Sequence, residues 1–178
     1  MRKIWWIILS IILIIINLSL IIEIKKLKSN PFSGKIIVST ENRKISFPST
    51  QSLLTLIIYF SHRSSEKRMK EIYYWNKLYK TLPKEDIAVV GLIPGNEEIK
   101  SIKTKYKILF PIYYDKNLLI IRRFLISITP FKIIIDKNGK ILHMSPAYLS
   151  EESHKNFYFI VLELLKNKKI QEQQSRWK

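Results

Sequence analysis

The chain has 178 residues, enough for one globular domain and an appendage but not for two independent cores. It carries 31 Lys+Arg against 14 Asp+Glu, a formal charge of +17, while 47% of its residues are apolar, so the charge does not reflect disorder. Cysteine is absent, which excludes disulfides, thiolate nucleophiles, thiolate zinc sites and iron–sulfur clusters. The three histidines, His62, His143 and His154, show no HxH or HExxH spacing, so neither a metal nor a cofactor is expected.

The first element is the apolar run from Ile4 to Ile24, interrupted only by Ser10, Asn17, Ser19 and Glu23. As a helix rising about 1.5 Å per residue it spans roughly 31 Å, close to the thickness of a bilayer core. Trp5 and Trp6 fall at one end and Lys25, Lys26 and Lys28 at the other. Residues 1–28 therefore read as a single-pass transmembrane anchor. The only alanines are Ala88 and Ala147, so an A-x-A-like cleavage site is missing and an uncleaved signal-anchor is expected. Two basic residues precede the run and six follow it by Lys44, a count that favours a cytoplasmic domain; the rule weakens ahead of a long domain.

Residues 29–34 form a linker containing Pro31 and ending at Gly34. The spacing then predicts strands over Lys35–Val38 and Lys44–Phe47, paired as a hairpin, and a strand buried on both faces over Leu53–Phe60. An amphipathic helix is expected over Ser64–Tyr79, a second buried strand over Ile87–Ile93, and a charged helix over Asn96–Lys105. A short strand at Phe110–Tyr113 and a short helix at Lys116–Phe124 follow. Phe131–Ile135 and Lys140–Met144 flank the turn Asp-Lys-Asn-Gly, a strong hairpin signal. A last helix over Ser150–Lys166 places Phe157, Ile160, Val161, Leu164 and Leu165 on one face, and residues 167–178 read as a polar tail. The fold class is α/β, a mixed sheet flanked by helices and preceded by the anchor, with the globular domain at residues 35–166.

The order of these elements and three phrases resemble the thioredoxin superfamily, in particular the membrane-tethered TlpA/ResA-like thiol–disulfide oxidoreductases and related redoxin domains of AhpC/TSA type. Leu56–Tyr79 resembles the family's strand, active-site turn and first helix; Val89–Asp115 resembles the second strand, helix and approach to the next. TPFKIIIDKNGKI, Thr129–Ile141, resembles the phrase in which a cis-proline precedes a strand, an Asp, a Gly turn and another strand. The chemistry departs from the pattern. Laid without a gap on FxxxWCxxCxxE, the chain places Phe60 on the aromatic, Ser64 on the Trp, Ser65 and Arg68 on the two cysteines, and Glu71 on the acid. A hydroxyl forms no mixed disulfide and a guanidinium resolves none, so the family's redox reaction is not expected.

Ser64 or Ser65 followed by Glu66 makes a good helix start. The sharper alternative is a helix N-terminus that takes an anion or an external thiolate beside Arg63, Lys67 and Arg68. The resemblance implies that Ile128, Thr129 and Pro130 offer backbone to an extended peptide. A pair of His62 with Ser65 lacks, in the spacing, the orienting acid and oxyanion donors that a hydrolase needs. Setting aside the five basic residues and one acid of residues 1–28 leaves 26 against 13, so the domain itself carries +13. Its lysines are scattered among acids, which disfavours nucleic acid and suits an anionic lipid surface near a tether.

These readings converge on a membrane-anchored thioredoxin-like domain without redox cysteines, acting as a binding or scaffold protein of the cell envelope. The resemblance places the domain outside the cytoplasm. The alternative is a thiol- or anion-binding enzyme that uses Ser65.

Overall fold

The structure is a computed structural model that describes residues 2–29, 36–39, 44–47, 51–61, 64, 69–95, 98–115, 118–124, 126–146 and 150–176. Seven strands form one sheet: β1 (Ile36–Ser39), β2 (Lys44–Phe47), β3 (Leu54–Tyr59), β4 (Ile87–Pro94), β5 (Ile112–Asp115), β6 (Phe131–Asp136) and β7 (Ile141–Pro146). Their order is β2-β1-β5-β4-β3-β6-β7. The helices are α1 (Arg2–Ser29), α2 (Ile72–Thr81), α3 (Ile99–Lys105), α4 (Leu119–Phe124) and α5 (Glu151–Arg176). β3, β4 and β5 run parallel, as the intervening helices require, and β6 and β7 close one side antiparallel.

The continuous apolar run LTLIIY is buried at every position of β3, because this central strand is covered on both faces. On one face Leu54, Leu56, Ile58 and Phe60 pack with Trp75 and Leu78 of α2 and with Phe157, Val161 and Leu165 of α5. On the other, Ile57 and Tyr59 pack with Ile120 of α4 and with Ile133 and Ile135. Gly91 lies inside β4 because a Cβ there would meet the rings of Phe110 and Phe60 at 2.9 Å each.

The opening hairpin holds, with Ile36 opposite Phe47 and Ser39 opposite Lys44. The predicted strand at Phe110–Tyr113 is shifted to Ile112–Asp115. Pro111 has no N–H to give a ladder; its carbonyl accepts from Gly91 N at 2.8 Å, and the Phe110 ring turns edge-on into the core against Phe60. The Asp115 carboxylate then accepts from Leu119 N at 2.9 Å and Ile120 N at 3.0 Å, which starts α4 later than the pattern predicts. Burial pushes the Asp115 carboxyl up from its ordinary value, opposed by these backbone donors.

Two expectations about the ends need revision. The last helix does not stop at Lys166: α5 continues to Arg176, so most of the expected polar tail is helical. Its added turns are held by charge. Lys168 Nζ lies 2.8 Å from Asp136 Oδ2, Lys169 Nζ lies 2.6 Å from Asp86 Oδ2, and Glu172 pairs with Lys137. A reading based on apolar periodicity ends where the apolar face ends and misses a face docked by ion pairs.

At the other end, the backbone of α1 is helical across Arg2–Ser29. Among the described residues, however, no helix is long and apolar enough to cross a membrane, so the expected transmembrane helix is not shown. Side chains of α1 are described at Trp5 and at residues 10–22, and all of these are exposed.

Candidate functional site

The family's reactive turn lies where β3 leaves the sheet. Phe60 N continues the ladder onto Leu92 O at 3.0 Å, and Ser64 N donates to Ser61 O at 2.9 Å. Ser64 is buried, and its Oγ lies 2.8 Å from Thr129 Oγ1. The Thr129–Pro130 bond is cis. The turn after β3 and the loop before β6 are therefore tied hydroxyl to hydroxyl across 65 residues of chain. Pro130 is buried, whereas Ile128 is 47% exposed beside it. Of the residues singled out from the sequence, Ser64, Ile128, Thr129 and Pro130 thus share one locus. Ser65 and Arg68, with His62, Arg63, Glu66 and Lys67, lie outside the described residues.

Beneath this locus sits a buried charge cluster that sequence reasoning missed. Glu71, just before α2, is 2% exposed, and Lys132, two residues after the cis-proline on β6, is 0% exposed. Lys132 Nζ stands 3.6 Å from Glu71 Oε2, an ion pair too long to be a short hydrogen bond, and 4.9 Å above the Phe157 ring. His154 of α5 brings Nε2 to 3.9 Å from the same Glu71 oxygen and stacks on Tyr74 with centroids 4.0 Å apart. Burial pulls the Lys132 ammonium down from 10.5 to about 8, the Glu71 carboxylate partly opposing the shift. Burial also lowers His143, which lies one strand over, and the Lys132 charge adds to that effect.

One signal for Lys132 was present in the sequence. In FKIIID the cation falls two residues before Ile134 and so shares its face, which is the face covered by α2 and α5. Glu71 had been matched only to the acidic position of the family pattern. His143 and His154 had no partner that spacing could name.

The arrangement has no dithiol and no thiolate, so it cannot exchange disulfides. One hydrogen bond ties Ser64 to the cis-proline loop, and one buried ion pair ties β6 to Glu71 at the base of α2.

Comparison with known proteins agrees with this geometry. A match to the AhpC/TSA family covers residues 28–144. The thiol-disulfide oxidoreductase ResA of Bacillus cereus is 31% identical over 75 residues, which are 41% of this chain and 43% of ResA, so the chain spans less than half the length of that relative. The crystal structure of StoA from Bacillus subtilis superposes with a TM-score of 0.56 at 18% identity, over 70% of this chain and 96% of StoA. That of a putative thiol:disulfide interchange protein DsbE from Chlorobium tepidum gives 0.63 at 12% identity, over 78% and 97%. At such identities the superpositions establish a thioredoxin-like fold. The family match extends over more than half of the chain and takes in both the turn and the cis-proline strand, and on that ground the chain belongs to the AhpC/TSA family.

Proposed function

We propose that this chain is a non-redox redoxin that binds an extended segment of a partner protein along the cis-Pro130 loop. The observation that carries the reading is the pairing of two facts at one locus. The positions laid on the reactive cysteines are Ser65 and Arg68, while Ser64 still braces Thr129 at 2.8 Å beside a cis-proline. A site whose chemistry is gone but whose peptide-facing loop remains braced is suited to strand addition through backbone groups at 128–130, with the exposed Ile128 side chain as the first apolar contact.

The same proposal includes a tether. Every described side chain of α1 is exposed, including Leu13 at 62% and Ile14 at 58%, and exposed apolar side chains of this kind are served by lipid. The partner is then an envelope protein, the domain lies outside the cytoplasm, and its +13 surface faces anionic headgroups.

The test is site-specific photocrosslinking in native membranes with a photoreactive residue at Ile128 and, as control, at the exposed Tyr73. A discrete adduct at Ile128 that is absent at Tyr73 and lost in Pro130→Ala is expected. Equal labelling at both positions, or thiol-dependent turnover that Ser65→Ala abolishes, would overturn the binding reading, the latter in favour of the Ser65 enzyme. Extraction of the full chain by carbonate at high pH would remove the tether from the proposal.

A further inference from the structure

On the helical face, away from the cis-proline loop, α2 and α5 leave a groove of about 330 Å³ between them. Its walls are aromatic: Tyr74 and Trp75 from α2, Phe157, Tyr158 and Phe159 from α5. Tyr74 and His154 stack face to face, with an interplanar angle of 10°, which ties α2 to α5 along the groove. Phe159, 64% exposed, stands at the rim with its ring edge-on to Tyr158. Both helices also bring cations to the groove, Lys77 from α2 and Lys155 from α5, and among the described lining residues the acid is Glu151. That acid already faces Lys155 at 3.3 Å, in a pair more than 60% exposed on both sides and therefore weak.

Size and charge select the occupant. Small-molecule sites start at roughly 300 Å³, the size of this groove. The walls are planar rings, which suit a flat apolar body. The surplus of ammonium groups at the mouth suits one negative charge. We propose that the groove between α2 and α5 binds a small aromatic carboxylate, its ring system lying among the aromatic side chains of the two helices and its carboxylate between Lys77 and Lys155. The site shares no residue with the cis-proline loop, although His154 and Phe157 also belong to the buried cluster of Glu71 and Lys132.

The experiment is calorimetric titration of the full chain in mild detergent with 2-naphthoate and, in parallel, with the neutral 2-naphthalenemethanol. Saturable binding of the acid, at least about fivefold tighter than the alcohol, is expected. In Lys77→Gln/Lys155→Gln the two ligands should bind alike. In Phe159→Ala both should weaken by a similar factor. These three side chains are exposed or at the rim, so the variants keep the fold, which far-UV circular dichroism checks. Equal affinities in the unaltered chain, or heats that do not saturate and are indifferent to Phe159→Ala, would overturn the assignment, the latter marking uptake by detergent.

Discussion

The two ends of β6 bury charge in different ways. At its C-terminal end Asp136 is 2% exposed, yet its Oδ1 accepts from Asn138 N at 3.0 Å and Lys140 N at 2.9 Å, and its Oδ2 takes Lys168 Nζ at 2.8 Å. The hairpin turn and the added turns of α5 are built around that carboxylate, with Gly139 supplying the positive φ of 79° that the turn requires. At the N-terminal end Lys132 faces Glu71 at 3.6 Å, next to the braced loop. Short, saturated geometry organises a turn. A longer, buried ion pair leaves the lysine less favoured as a cation, burial pulling it down to about 8. The first carboxylate is an architectural part, and the second pair is a tension held beneath the candidate site.

Breaking the tense pair should produce the largest effect. Glu71→Ala leaves the Lys132 ammonium in the core without its carboxylate and should cost about 3–5 kcal/mol in urea unfolding. Because Glu71 is what partly holds the lysine up, the same variant should carry the Lys132 titration further below about 8, which side-chain NMR reads directly. Glu71→Leu/Lys132→Met should recover most of the loss or exceed the original stability. A double variant as unstable as Glu71→Ala would show that the pair is as well satisfied as Asp136, and the contrast between the two ends would fall.

The next effect is a pH dependence of unusual sign. Lys132 holds its proton less tightly when folded, at about 8, than when unfolded, near 10.5. Between these values the unfolded chain binds more protons, so this residue makes stability rise with pH across the window, by about 3 kcal/mol at most. Below about pH 8 both states carry the proton and the contribution is flat. The measurement is the difference in unfolding free energy between the unaltered chain and Lys132→Met from pH 7 to 10.5. A difference that stays constant would mean that the lysine is not strained.

These two ends were not equally legible in the sequence. The turn signal Asp-Lys-Asn-Gly states its own geometry within a few residues, and the predicted hairpin lies where it was expected. The central strands were equally readable, because a strand covered on both faces is simply apolar throughout. The Glu71–Lys132 pair joins residues 61 apart, and His154 comes from a third element. No local pattern encodes such a meeting. The docking of Lys168, Lys169 and Glu172 was hidden for the same reason, since polar residues at helical spacing describe a solvated face as well as an ionic one. The family pattern supplied Thr129 before the proline and the position of Ser64, but it has a Trp where Ser64 stands, so it does not contain the hydrogen bond between them.

At the well-satisfied end a smaller effect is expected. Lys168→Met removes one charged hydrogen bond from Asp136 but leaves both backbone donors in place, so the cost should be about 2 kcal/mol by thermal unfolding. Hydrogen exchange should quicken in the last turns of α5, where the ion pairs of Lys169 and Glu172 remain. A loss as large as that of Glu71→Ala would place the tension at Asp136 instead.

The smallest effect bears most directly on the candidate site. Ser64→Ala and Thr129→Val each remove one side of a neutral hydroxyl pair, and each should cost about 1 kcal/mol. If the bond is what braces the loop, the two losses should not add: once either hydroxyl is gone, removing the other costs little beyond its own packing, a coupling of about 0.5–1.5 kcal/mol in a double-mutant cycle. The cycle also separates the brace from the ion pair beneath it. Residues joined in one network couple, so repeating it with Lys132→Met in place of Thr129→Val asks whether the loop and the buried charge form a single unit. A coupling between Ser64 and Thr129 but none between Ser64 and Lys132 would make the brace local. The edge offered to a peptide would then depend on two hydroxyls and a cis-proline alone, and the strained lysine would set the stability of the domain without setting the shape of its site.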